Sequence, residues 1–208
     1  MSRGQDGGRT ALVVVDMQND FCAADGYYRK DVGRPAVDEV ISPIRRLING
    51  FHRAGQPVCF TRLVYDGVER MPERSHRLVP PAWLSSGLRL QPGSWGADVI
   101  DELRPSPGDR VLDKEGYSAF YGTDLEDWLH GQSAGTVAIV GVVAYACVLH
   151  TGFDAFVRGF DVVLVEDAVT GWEEDLVTAA STIFTRLLGP TITVDELLDR
   201  LHPVDVAS

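Results

Sequence analysis

The feature that most constrains this chain is Ala11-Leu-Val-Val-Val15, an apolar run with no polar residue to mark a solvent face. A strand that shows one face to water alternates apolar with polar positions. One that is apolar throughout is buried on both faces, as in a parallel sheet covered by helices. Further strands are expected at 56–63, 110–113, 136–140, 161–165 and 190–194. Between the first two, residues 35–54 carry Val37, Val40, Ile41, Ile44, Leu47, Ile48 and Phe51 at helical spacing, and Gly55 follows as a C′ residue would. Other helices are expected at 97–103, 124–130, 147–158, 173–188 and 195–201. Alternating strand and helix implies an α/β fold with right-handed crossovers. The Arg-, Pro- and Ser-rich stretch 64–95 interrupts the rhythm, and a loop that long in a compact domain is usually functional or mobile.

The chain has 208 residues, enough for one such domain. Residues 1–9 read as a flexible leader without the apolar core of a signal peptide, and 10–208 as a single domain. A cytoplasmic location is the expectation. A net charge of −11 without clustered Lys and Arg disfavours nucleic acid and anionic membranes as partners. No run approaches the ~20 apolar residues of a membrane span. The three cysteines, Cys22, Cys59 and Cys147, show neither metal-ligand spacing nor a disulfide framework. Reduced thiols are the simplest reading.

In open α/β sheets ligands bind beyond the carboxyl ends of the strands. The first strand ends in Asp16, the third in Asp113-Lys114, and the fourth leads through Gly141-Val-Val-Ala-Tyr-Ala to Cys147, where a helix is expected to open. A carboxylate, an ammonium and a thiol thus converge on one edge. Lys and a helix N-terminus are expected to lower the thiol pKa, and a carboxylate can take its proton and return it to a leaving amine. Taken singly, each has a blander reading: a turn or cap Asp, a solvated Lys, a small buried Cys.

The blocks Val13-Val-Val-Asp16-Met-Gln-Asn-Asp-Phe21, Lys114-Glu-Gly-Tyr-Ser-Ala-Phe120 and Gly141-Val-Val-Ala-Tyr-Ala-Cys147 together closely resemble the signature blocks of the isochorismatase-like cysteine hydrolase superfamily, in order and spacing. The resemblance implies a three-layer α/β/α, Rossmann-like fold whose six-stranded parallel sheet has the order 3-2-1-4-5-6. It implies Asp16 as general base, Lys114 as catalytic lysine and Cys147 as nucleophile. It implies an oxyanion hole of the Val143 and Cys147 amides, with a cis peptide between Val142 and Val143. Homodimers or homotetramers are common among such relatives.

Nicotinamidases of this superfamily carry an Asp-x-His metal motif after the second strand. Here Thr61-Arg-Leu-Val-Tyr-Asp-Gly67 contains no histidine, Asp66 is isolated, and His76 has no sequence partner. Neither a metal nor any other cofactor is expected. The stretch Phe21-Cys-Ala-Ala-Asp-Gly-Tyr-Tyr28 looks like that of the metal-free N-carbamoyl and ureido amidohydrolases. The leading expectation is therefore a cysteine hydrolase cleaving the C–N bond of a small amide or carbamoyl substrate through a thioester. The alternatives are vinyl-ether hydrolysis of the isochorismatase type, towards which Ala144, Tyr145 and Val148-Leu149 lean, and a non-catalytic binding protein on the same fold. Substrate contacts are expected from Phe21, Trp95, Tyr117, Phe120 and Tyr145. Arg62, Arg70, Arg74 and Arg77 cluster in an acidic chain, and Arg74 or Arg77 is the expected grip on a substrate carboxylate. Because three convergent ligands are needed for a catalytic divalent site, chelators should leave the rate of hydrolysis unchanged. Activity lost to a chelator and restored by zinc or iron would overturn that expectation.

Overall fold

The computed structural model describes residues 8–28, 37–65 and 89–201. Strands β1 (Arg9–Val15), β2 (Val58–Leu63), β3 (Arg110–Lys114), β4 (Ala134–Val142), β5 (Asp161–Thr170) and β6 (Thr191–Ile192) form a sheet of order β3-β2-β1-β4-β5-β6. All its pairings are parallel, so the carboxyl ends of the strands share one edge. The described helices are α1 (Asn19–Cys22), α2 (Val37–Arg53), α3 (Leu125–Gly131), α4 (Leu149–Val157), α5 (Glu174–Leu187) and α6 (Val194–Leu201). This is the six-stranded α/β fold and strand order expected.

The continuous apolar run of β1 is explained by two cores. Leu12 and Val14 pack with Ile44, Phe51 and Leu197 beneath α2 and α6. Ala11, Val13 and Val15 pack with Leu129, Ala155 and Phe184 beneath α3, α4 and α5. All five are fully buried, and each large one contributes roughly 1.5–3 kcal/mol of hydrophobic stabilisation.

Three expectations need correction. Residues 97–103 do not form one helix but two 3₁₀ turns, Trp95–Ala97 and Asp101–Leu103. The intervening backbone is taken up by the exit of β1: Asn19 N–H donates to Asp98 O (2.9 Å), Ile100 N–H donates to Met17 O (3.0 Å), and Gln18 bridges Val99 in antiparallel fashion. Those partners compete with the i→i−4 ladder and win. The helix expected to open at Cys147 instead starts as a π-helical turn over Ala144–Val148, in which Val148 N–H donates to Val143 O (3.2 Å), and α4 continues from Leu149. The last strand is only two residues long, because Val194 already begins α6.

Gly141 sets the approach of β4 to β1. Its φ is +110°, and a Cβ there would lie 2.1 Å from the carbonyl oxygen of Val15. Both constraints exclude a side chain. Gly141→Ala should therefore destabilise the protein by at least ~2–3 kcal/mol, seen as a lower denaturant midpoint. An unchanged midpoint would show that the close β1–β4 contact is dispensable.

Candidate active site

Asp16 follows β1 directly, Lys114 ends β3, and Cys147 lies in the turn after β4. All three side chains are buried. Asp16 adopts φ +51°, a left-handed conformation that Asp tolerates better than most residues. Its Oδ1 accepts from Thr61 Oγ1 (2.8 Å), and its Oδ2 accepts from Lys114 Nζ (2.8 Å). An ammonium has three N–H bonds to place. Lys114 gives the other two to Gly116 O (2.9 Å) and Cys147 Sγ (3.4 Å). Its donors are fully used.

Burial alone would push the Lys114 ammonium down, but attraction to Asp16 and to Cys147, with hydrogen bonds to both, raises its pKa above the ordinary lysine value. The Cys147 thiol moves the other way from the sequence expectation. Burial, then the Asp16 carboxylate, pushes it up to about 12, while Lys114 pulls it down less strongly. The resting site is thus an Asp16–Lys114 ion pair whose ammonium also donates to the sulfur of a neutral thiol. The peptide between Val142 and Val143 is cis.

An aromatic cluster packs beside the cis peptide. The Phe21 ring lies 4.5 Å from that of Tyr28 and 6.2 Å from Trp172, and Tyr28 lies 5.6 Å from Trp172. Phe21 and Trp172 line a small cavity with Val142, Val143 and Gly171. Tyr28, Tyr65 and Tyr117 all have phenol pKa values raised, first by burial. They stay neutral around the thiol at ordinary pH.

A family model, the isochorismatase domain, matches residues 10–196. The chain belongs to the isochorismatase family. It is 34% identical over 173 residues to the ureidoacrylate amidohydrolase RutB of Pantoea ananatis, covering 77% of this chain and 68% of that protein. Among solved structures, a cysteine hydrolase from Pseudomonas syringae pv. phaseolicola superposes with a TM-score of 0.84 at 25% identity, covering 93% of this chain and 92% of the other. The N-carbamoylsarcosine amidase of Thermoplasma acidophilum superposes at 0.69 with 34% identity, covering 90% and 97%. This isochorismatase-family chain is accordingly a hydrolase.

Within the family frame, the expected contacts separate. Phe21 packs against Tyr28 and Trp172 and lines the small cavity beside Val142 and Val143, and Tyr117 is half-exposed with its ring 5.5 Å from that of His150. Tyr145 hydrogen-bonds Glu173 and lies against Gly171, where a Cβ would be 2.7 Å from its ring. Trp95 is 55% exposed, and its carbonyl accepts from Asn19 Nδ2 (2.7 Å). Phe120 belongs to the hydrophobic core: it is buried against Phe160, with the Arg158 guanidinium over its ring. Arg62 is committed to a bidentate pair with Asp113 (2.7 and 3.0 Å) and a contact to Asp98 (3.1 Å). Arg70, Arg74, His76 and Arg77 lie outside the described residues.

Sequence reading passed over Thr61, Gln18, Asn19 and Asp20. Thr61 is a hydroxyl inside an otherwise apolar stretch of β2, which had to find a partner; the partner is Asp16. Gln18 donates to Leu63 O (3.0 Å) and Ala97 O (2.9 Å) and accepts from Leu63 N–H (2.7 Å), tying the exit of β1 to the end of β2. Asp20 accepts from Leu90 N–H (3.2 Å).

The opposing fields on the thiol make a paired prediction. Asp16→Asn removes the charge that raises the Cys147 pKa and should speed alkylation by iodoacetamide at neutral pH, whereas Lys114→Met should slow it. A one-unit shift changes the thiolate fraction about tenfold. Equal rates in both folded variants would mean that neither charge governs the thiol.

Proposed function

We propose that this hydrolase is a cysteine amidohydrolase acting on small ureido or N-carbamoyl compounds, with Asp16, Lys114 and Cys147 as its catalytic triad. The observation that carries the reading is the direct contact of Lys114 with both Asp16 and Cys147, three side chains drawn from three strand ends. The likeness to the ureidoacrylate amidohydrolase and the N-carbamoylsarcosine amidase supports the substrate class.

As the thiol sulfur attacks the carbonyl carbon, its proton passes to Asp16, so no standing thiolate is needed. The amides of Val143 and Cys147 are the proposed donors to the developing oxyanion. Collapse of the tetrahedral species breaks the C–N bond, and Asp16 returns the proton to the departing amine. Water, deprotonated by Asp16, then cleaves the thioester and regenerates the thiol. Lys114 holds the Asp16 carboxylate in place between steps. Phe21, Tyr117, Tyr145 and Trp95 are proposed to shape the pocket around the rest of the substrate. Residues 10–208 are read as a single hydrolase domain, on the support of a family match spanning most of it. A reducing, cytoplasmic setting accords with three free, buried cysteines. Homo-oligomeric assembly completes the reading.

Vinyl-ether hydrolysis would leave Cys147 a bystander, which sits poorly with a thiol hydrogen-bonded by the same ammonium that binds Asp16. Cys147→Ser decides between the two. The serine variant should fold normally yet lose ammonia release from small ureides by more than about a thousandfold, since nothing nearby would ionise a hydroxyl of far higher pKa. Retention of even a tenth of wild-type turnover would overturn the amidase mechanism.

A further inference from the structure

Leu90 is buried yet adopts φ +54°, a left-handed conformation that a bulky side chain rarely takes. Two hydrogen bonds hold it there. Its N–H donates to Asp20 Oδ2 (3.2 Å), and its carbonyl accepts from Tyr65 N–H (3.0 Å). Asp20 is itself locked, because a Cβ on Gly96 would lie 2.2 Å from its Oδ2. Strained backbone of this kind persists where the surroundings enforce it, and it clusters at ligand sites. The side chain that this turn fixes in place is Arg89.

Five of the described arginines are partly buried. Arg62, Arg110 and Arg158 give guanidinium N–H groups to carboxylates, and Arg9 gives one to the carbonyl of Gly55. Arg89 meets neither among the described residues. Its guanidinium carbon lies 3.4 Å over the centre of the Tyr27 ring, and its Nε is buried without an acceptor. Asp20 flanks this stack, but its oxygens take the amides of Tyr27 (3.5 Å) and Leu90 rather than the guanidinium.

Placement identifies the missing partner. Tyr27 lies edge-on to Tyr28 at 5.6 Å, and Tyr28 packs on Phe21 and Trp172, which line the small cavity beside Val142 and Val143. Trp172 Nε1 is a second buried donor without an acceptor. The aromatic cluster thus carries two unmet donors and abuts the peptide whose amide is the proposed oxyanion donor. A guanidinium stacked on a ring keeps its N–H edge in one plane, the geometry that takes a carboxylate through two parallel bonds.

We propose, building on the amidohydrolase reading above, that Arg89 is a specificity-determining residue that binds a substrate carboxylate, so that ureido acids are preferred over their neutral counterparts. Titration calorimetry on the full chain carrying Cys147→Ser tests this by binding, without turnover. The probes are N-carbamoylglycine and N-carbamoyl-β-alanine, each beside its neutral amide. At least one acid should bind roughly tenfold or more tighter than its amide. Adding Arg89→Gln should bring that acid down to the affinity of the amide and leave the amide unchanged. Arg89→Lys, which keeps the charge without the planar fork, should retain part of the preference. The comparison of acid with amide before any change at Arg89 does not depend on how that variant folds. Equal binding of acid and amide there, or an Arg89→Gln loss shared by both, would overturn the proposal. A clear acid preference in a protein whose wild type releases no ammonia would support Arg89 as the anchor and count against the amidohydrolase reading alone.

Discussion

The structure turns on where one buried ammonium finds its partners. Taking a charged lysine out of water costs several kcal/mol unless its donors are met by acceptors and an opposite charge. Lys114 meets that condition only because three strand ends are in register at the carboxyl edge. β3 and β1 are not neighbours; β2 lies between them, so Lys114 and Asp16 start about 9–10 Å apart across the sheet. The four-carbon stem of lysine spans that gap over Thr61, whose hydroxyl fills the space beneath and donates to Asp16. Cys147 enters from the other side of β1, beyond β4. The pair register Leu63↔Lys114, Val15↔Thr61 and Val15↔Gly141 is therefore also the register of the site.

That arrangement fixes the proton inventory. A site with only Lys114 beside the thiol would favour thiolate. With the Asp16 carboxylate close by and everything buried, the thiol keeps its proton. In the proposed mechanism, reactivity is thereby withheld until a carbonyl arrives to accept the electron pair. Oxidation susceptibility follows thiolate character and exposure, so the same burial that raises the Cys147 pKa shields the resting enzyme from oxidants.

The fold and the convergence of Asp16, Lys114 and Cys147 were legible in the sequence for different reasons. The strands announced themselves because a two-faced strand has no room for polar positions, as β1 shows. The trio could be read because each member follows a strand whose end the pattern already marked. What could not be read depended on distant partners. Periodicity over 97–103 is helical, yet the backbone of that segment is claimed by Met17, Gln18 and Asn19, some eighty positions earlier. Phe120 sits in a block next to reactive residues but points its ring into the core against Phe160. The direction of the Cys147 pKa shift depended on burial weighed against two opposite charges, a balance that residue types alone do not settle.

The segment Asp16–Phe21 shows how chemistry and scaffold share one stretch of chain. Asp16 meets Thr61 and Lys114, while Gln18, Asn19 and Asp20 bind the backbone of β2 and of residues 90–98. Each of those three is buried, so each must be satisfied internally or leave an unpaired polar group. Their partners are main-chain groups rather than side chains, which makes the contacts indifferent to the sequence of the partner segment. That segment can diverge while the carboxylate of Asp16 stays where it is. A pocket wall can then change with substrate without disturbing the ion pair, because the residues that position Asp16 are anchored to backbone and the residues that shape the pocket are not.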